Sequence, residues 1–80
     1  MKPTRYRALW VVNRVTDGSV ILDEHWNSKV LRAKTASAAR REACRIRSPY
    51  SSVTVYEEVG TVNHYDVTGY DWDRVGEFEA

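Results

Sequence analysis

The sequence predicts an α+β domain, an antiparallel sheet of four to five strands with one helix packed on one face. Three observations carry this. Two β-type runs flank Asp17-Gly18, a dipeptide that is a strong short-range hairpin signal. One segment, Ala33–Arg47, has a helical period, placing Ala36, Ala39, Ala43 and Ile46 on one face. Further β-type runs follow it, so the order reads β-β-α-β-β with a possible fifth strand at the end.

Residues 5–15 read as a long strand and 19–26 as its return. With Asp17-Gly18 as a two-residue turn, Leu9 lies opposite Trp26. One face then holds Leu9, Val11, Val15, Val20, Leu22 and Trp26, with Asn13 and Glu24 as its polar members. That face is the expected core. The other carries Tyr6, Ala8, Trp10, Val12 and Ile21 beside Arg14, Asp23 and His25. It is too apolar for a plain solvated sheet, so a partner, a second subunit or the C-terminal tail is expected to cover it.

Residues 29–34 continue the second strand past a bulge or begin a short third one. The helix starts where Thr35 or Ser37 accepts a hydrogen bond from a first-turn amide. It ends near Arg47, because Ser48-Pro49 disfavours further helix. Its apolar face is mostly alanine, which allows close approach to a sheet. Arg41 and Arg45 lie opposite that face, with Arg40 and Arg47 nearer its edges. Residues 53–59 form a strand with Val53, Val55 and Val59 on one side. Gly60 is expected to turn it into a strand over 62–67, and Thr68-Gly69 into another over 70–75. Residues 76–80 read as a frayed acidic tail. With no repeat and no linker, residues 1–80 form one small domain.

The chain has 80 residues, 42% of them hydrophobic, including three tryptophans and five tyrosines, which argues for a folded chain with a thin core. A single cysteine, Cys44, precludes an internal disulfide and points to a reducing cytoplasm. No apolar run approaches a membrane span, and the first residues lack the hydrophobic segment of a signal peptide. The net charge of +1 hides a strong polarity. Residues 29–49 hold seven Lys/Arg against Glu42 alone, whereas residues 57–80 hold seven acids against Arg74 alone. Such a split suits a charged partner, or two faces that neutralise each other.

The expected last hairpin gathers Tyr65, Val67, Tyr70 and Trp72 on one side. On the other it sets Asp66 opposite Asp71 and His64 opposite Asp73. Facing carboxylates repel, so either the register differs or a cation, a basic partner or the protein's own arginines sit there. The spacing matches no metal loop, and no metal or cofactor is expected. An exposed acidic-aromatic surface formed by Asp66, Asp71, Trp72 and Asp73 is the reading taken. Neither Cys44 nor His25 lies in a nucleophile or acid–base signature, so no enzyme is expected. On the basic side, Lys34, Arg40, Arg41 and Arg45 suit phosphates or the carboxylates of a protein, or form a solvated helix surface. A pI near 7.9 argues against a simple nucleic-acid binder.

In layout the chain resembles small phage and mobile-element proteins in which a short strand enters an alanine-rich helix and a β-meander closes on a tryptophan strand. The corresponding residues are 30–43, then 54–59, then Trp72. Some anti-CRISPR inhibitors of type I surveillance complexes are similar. The resemblance implies a phage-encoded interaction protein in the host cytoplasm, and it transfers no functional position.

The expectation is therefore a non-enzymatic protein-interaction module, a phage inhibitor that occludes a host nucleic-acid-handling complex. Its expected contacts are the acidic-aromatic hairpin and the sheet face of Tyr6, Trp10 and Val12. The alternatives are a nucleic-acid-binding protein using Lys34, Arg40, Arg41 and Arg45, and a homodimer joined through Tyr6, Trp10 and Val12.

Overall fold

The computed structural model describes residues 3–62 and 69–80. The elements are β1 (Thr4–Asp17), β2 (Val20–Val30), α1 (Ala36–Ala43), β3 (Thr54–Val62) and β4 (Tyr70–Glu79). The strands form one sheet in the order β2-β1-β3-β4, with every neighbouring pair antiparallel. The fold is α+β, with four strands among the described residues.

The first hairpin turns at Gly18-Ser19 rather than Asp17-Gly18, since Asp17 faces Val20. Gly18 has φ +60°, the left-handed value that the first central position of a type II′ turn requires. The register therefore shifts by two residues, and Val11 rather than Leu9 faces Trp26. Two bulges interrupt the pairing, leaving Val12 on β1 and Leu22 on β2 as extra residues.

β3 pairs with β1 only along Thr4–Leu9. Here Tyr6, Ala8 and Val55 point to the side taken by the helix. They form the core with Val53, Leu31, Ala39 and Ala43, and Trp10, Ala33, Ile46 and Phe78 pack against it. This corrects the expected choice of face. Trp26, Leu22 and Val20 are exposed, and of that set only Val11 is fully buried. Apolar content summed along the whole hairpin favoured the wrong side, because its distal half has no second layer to be buried against.

Thr35 Oγ1 accepts from the Ala38 amide at 3.3 Å, capping the helix as the sequence indicates. The helix is shorter than expected. After Ala43 the chain tightens through i,i+3 bonds, from Arg45 N–H to the Glu42 carbonyl and from Ile46 N–H to the Ala43 carbonyl. Ala39 and Ala43 are completely buried, so their small side chains set how closely the helix lies on the sheet.

The C-terminal part departs further from expectation. β4 pairs directly with β3, with Thr61 facing Asp71, Gly60 facing Trp72 and Val59 facing Asp73. Gly60 is therefore inside a strand and not at a turn. A Cβ there would stand 3.0 Å from Pro3 Cγ and 3.3 Å from the Trp72 ring, so glycine makes room for the indole. Residues 76–79 are not a frayed tail but the end of β4, and the Ala80 amide donates to the Val53 carbonyl at 3.0 Å. A bulge leaves Val75 unpaired and reverses the alternation. Trp72 thus lies on the open face, whereas Phe78 lies on the core face, 6.4 Å from the Tyr6 ring and edge-on to it.

The resulting body is elongated, 49 × 31 × 17 Å. Its radius of gyration is 15.1 Å, against about 12 Å for a compact chain of this length. The β1–β2 ribbon runs on past Leu9, where β1 leaves β3.

Candidate functional site

At the base of the ribbon, β1 has lost β3 as a neighbour but its backbone groups still point that way. The 48–51 loop takes the place of the missing strand. Ser48 Oγ donates to the Val11 carbonyl, and Ser51 Oγ accepts from the Val11 amide at 3.3 Å. Arg14 extends this brace, donating to the Tyr50 carbonyl at 3.2 Å and to Glu24 Oε2 at 3.4 Å.

Beyond Arg14 the ribbon has only its own two strands. From its base at Val12 and Trp26 to its tip it presents Val12, Val15, Val20, Ile21, Leu22 and Trp26, with Leu22 63% and Trp26 54% exposed. Single exposed apolar side chains are ordinary, but a run of them on one protruding ribbon is not. An unsupported two-stranded hairpin is also marginal in water, so a partner would stabilise it.

A second feature lies between β2 and the helix. Lys29, Arg32, Arg41, Arg45, Glu42, Ala38 and Ile46 line an open groove of about 640 Å³. The Glu42 carboxylate is already engaged. Its Oε1 accepts from the amides of Arg32 and Ala33, both at 3.0 Å, and ties the loop after β2 to the helix. Among the described residues none of the four cations has an ion pair; the pairs formed use Arg5, Arg7, Arg14, His25 and Arg74. The groove is therefore strongly positive.

The open face of the sheet is internally paired. Arg5 and Arg7 both reach Glu58 Oε1, at 2.9 and 3.3 Å. Arg5 also lies 3.9 Å above the Trp72 ring, and Arg74 lies 4.2 Å above Tyr56.

The residues singled out from sequence fall into three groups. Of Tyr6, Trp10 and Val12, the first is 6% exposed, the second is packed against the core, and only Val12 stands free at its bulge. Tyr6 is thus corrected as a docking or dimer contact, since alanines of the helix and Phe78 occupy its side, and Trp10 is left partly buried. Burial first, and the Glu57 carboxylate beside it second, push the Tyr6 hydroxyl above the ordinary tyrosine value.

Within the acidic-aromatic set, Asp66 and His64 lie outside the described residues. Asp71 and Asp73 are exposed, but they face Thr61 and Val59 across the ladder. Asp71 faces Thr61, and its expected partner Asp66 lies outside the described residues. Trp72 is half-buried and carries Arg5 on its ring.

Lys34, Arg40, Arg41 and Arg45 are all exposed. Only Arg41 and Arg45 reach the groove, while Arg40 lies 5.1 Å from the Phe78 ring centre. Lys29 and Arg32, which complete the groove, belong to a different segment. Their charge was visible in sequence, but their convergence with Arg41 and Arg45 was not. Cys44 is free and exposed, and His25 Nε2 stands 3.4 Å from Asp23 Oδ2.

Among the described residues no three His, Cys, Asp or Glu side chains are grouped to hold a metal ion, and no helix is long and apolar enough to cross a membrane. Comparison with protein-family models, curated proteins and solved structures finds no match for this chain.

Proposed function

We propose that this chain is a non-enzymatic protein-interaction module whose contact element is the β1–β2 ribbon. The observation that carries the proposal is the exposed run of Val12, Val15, Val20, Ile21, Leu22 and Trp26 on an element with no second layer. The Ser48, Ser51 and Arg14 brace holds the ribbon in a fixed direction, which limits the ordering cost of binding. The resemblance to phage inhibitors narrows the proposal: the partner is a nucleic-acid-handling complex, blocked by occlusion.

The test compares the wild-type chain with Ile21→Asp/Leu22→Asp as immobilised baits. Both side chains are at least half exposed, so the variant retains the fold. A discrete partner held by the wild type and lost by the variant supports the module. Retention of the same partner by both would remove the ribbon from the contact. Adding the protein to a type I surveillance complex and its target DNA tests the narrower form, which unchanged DNA binding would eliminate.

The basic groove favours a second reading, an anionic partner such as nucleic acid held by Lys29, Arg32, Arg41 and Arg45. A DNA titration at two salt concentrations separates the readings. Binding with a steep salt slope, lost on Arg41→Ala plus Arg45→Ala, supports the groove, and no binding at low salt excludes it.

A further inference from the structure

β2 is an edge strand eleven residues long, and all of it except Glu24 is exposed. An edge of this length with apolar side chains is a template for another strand. Its own atoms specify which strand fits.

The Leu31 amide donates to the Tyr6 carbonyl. Alternation then directs the backbone groups of Lys29 and Asn27 to β1, and those of Glu24, Trp26, Ser28 and Val30 outward. Two local bonds confirm this. The Glu24 amide donates to Asp23 Oδ1 at 2.9 Å, and the Ser28 amide to Asn27 Oδ1 at 3.0 Å. These are side chains covering the edge in place of a strand.

We propose that the occupant of this edge is a second copy of the chain, paired antiparallel through β2 with the two-fold axis at Trp26. This deepens the protein-interaction reading and rests on it. In an antiparallel pairing, outward-pointing residues must meet outward-pointing residues, so the register can shift only in steps of two. Centred on Trp26, it sets Asp23 opposite Lys29 of the second copy, twice by symmetry. It also sets Glu24 opposite Ser28 and Trp26 opposite itself, and the pairing ends at the Leu22 bulge. Moving the axis to Asn27 brings His25 against Lys29. Moving it to His25 leaves Asp23 against Asn27 and runs Lys29 past the Leu22 bulge. The Trp26 register alone matches both charges and sets indole against indole.

The exchange is consistent at the level of single groups. When the second copy's Ser28 carbonyl takes the Glu24 amide, Asp23 is released to pair with Lys29. Trp26, exposed in one copy, becomes covered at the two-fold axis. The contact is isologous, as a two-fold dimer demands, and joins two four-stranded sheets into one continuous sheet.

The test measures mass by light scattering and sedimentation over a concentration series. Wild type is expected to form a concentration-dependent dimer. Asp23→Lys places lysines opposite each other and Lys29→Asp places aspartates opposite each other, so each weakens the dimer roughly tenfold. The Asp23→Lys/Lys29→Asp double variant restores it. Ser28→Pro removes an outward donor while leaving the β1 ladder intact, and yields a monomer. Should that variant fail to fold, the charge-exchange series still decides. A wild type that remains monomeric overturns the proposal, as does a dimer whose strength the single reversals leave unchanged or the double variant fails to restore. A monomer that nevertheless captures a partner through Ile21 and Leu22 would refute self-pairing alone, leaving the interaction module standing.

Discussion

The Ser48 hydroxyl donates to the Val11 carbonyl at 2.5 Å, across 37 residues of sequence. The bond lies where β1 runs past the end of β3, and it lets a loop serve as a third strand for one residue pair. The same serine accepts from the amides of Tyr50 and Ser51, at 3.4 and 3.3 Å. The loop and the ribbon are thus fastened at one point.

Removing that point should loosen the ribbon. Ser48→Ala leaves the Val11 carbonyl without its partner, at a cost of about 1–3 kcal/mol. Urea unfolding measures the loss. Hydrogen exchange at Val11 and in the ribbon should accelerate more than exchange in the Tyr6–Ala8 segment.

Gly60→Ala tests the space beneath the indole. The added methyl meets Pro3 Cγ at 3.0 Å and the Trp72 ring at 3.3 Å. The ring must move, which disturbs its stacking under Arg5. A loss of about 1–3 kcal/mol is expected, with a change in tryptophan emission before unfolding begins. Unaltered emission and melting temperature would contradict this.

Glu42→Gln should weaken the tie between the β2–α1 loop and the helix, because a neutral amide oxygen accepts less strongly than a carboxylate. About 1–2 kcal/mol is expected, below the upper range for charged bonds because the Arg32 side of the contact is exposed. The variant also removes a negative charge from the groove. If the groove takes an anion, its affinity should rise while stability falls, and parallel titration and melting would show that opposition.

Tyr6 gives the alkaline behaviour. Its hydroxyl titrates above the ordinary value of 10.0, so folding favours the protonated form. That contribution is complete below the unfolded value and is lost as pH rises through the folded one. Stability should therefore decline above about pH 10, and Tyr6→Phe should flatten this part of the curve. Melting temperature against pH, with ultraviolet titration of the phenolate, checks both.

Much of the fold was readable in the sequence. The alanine period gave the stripe that contacts the sheet, Thr35 gave its cap, and Asp17-Gly18 lay within one residue of the true turn. The hidden parts share one physical cause. A bulge reverses strand alternation, and no local pattern marks Val12, Leu22 or Val75 as extra residues. Phe78 consequently joined the core from a segment that read as a tail. The basic groove was half legible, since the spacing of Arg41 and Arg45 puts them on one helix face. Lys29 and Arg32 arrive there only because of the way the loop after β2 is tied by Glu42.

The shared strand has a kinetic consequence. β1 is joined to β2 through a two-residue turn, but its contact with β3 brings Thr4–Leu9 against Thr54–Val59, about fifty positions away in the chain. The first hairpin is a local event and the junction a distant one. Folding should therefore be limited by loop closure at Tyr6, Ala8 and Val55. Substitutions there should slow refolding, whereas substitutions at the ribbon tip should change mainly the rate of unfolding.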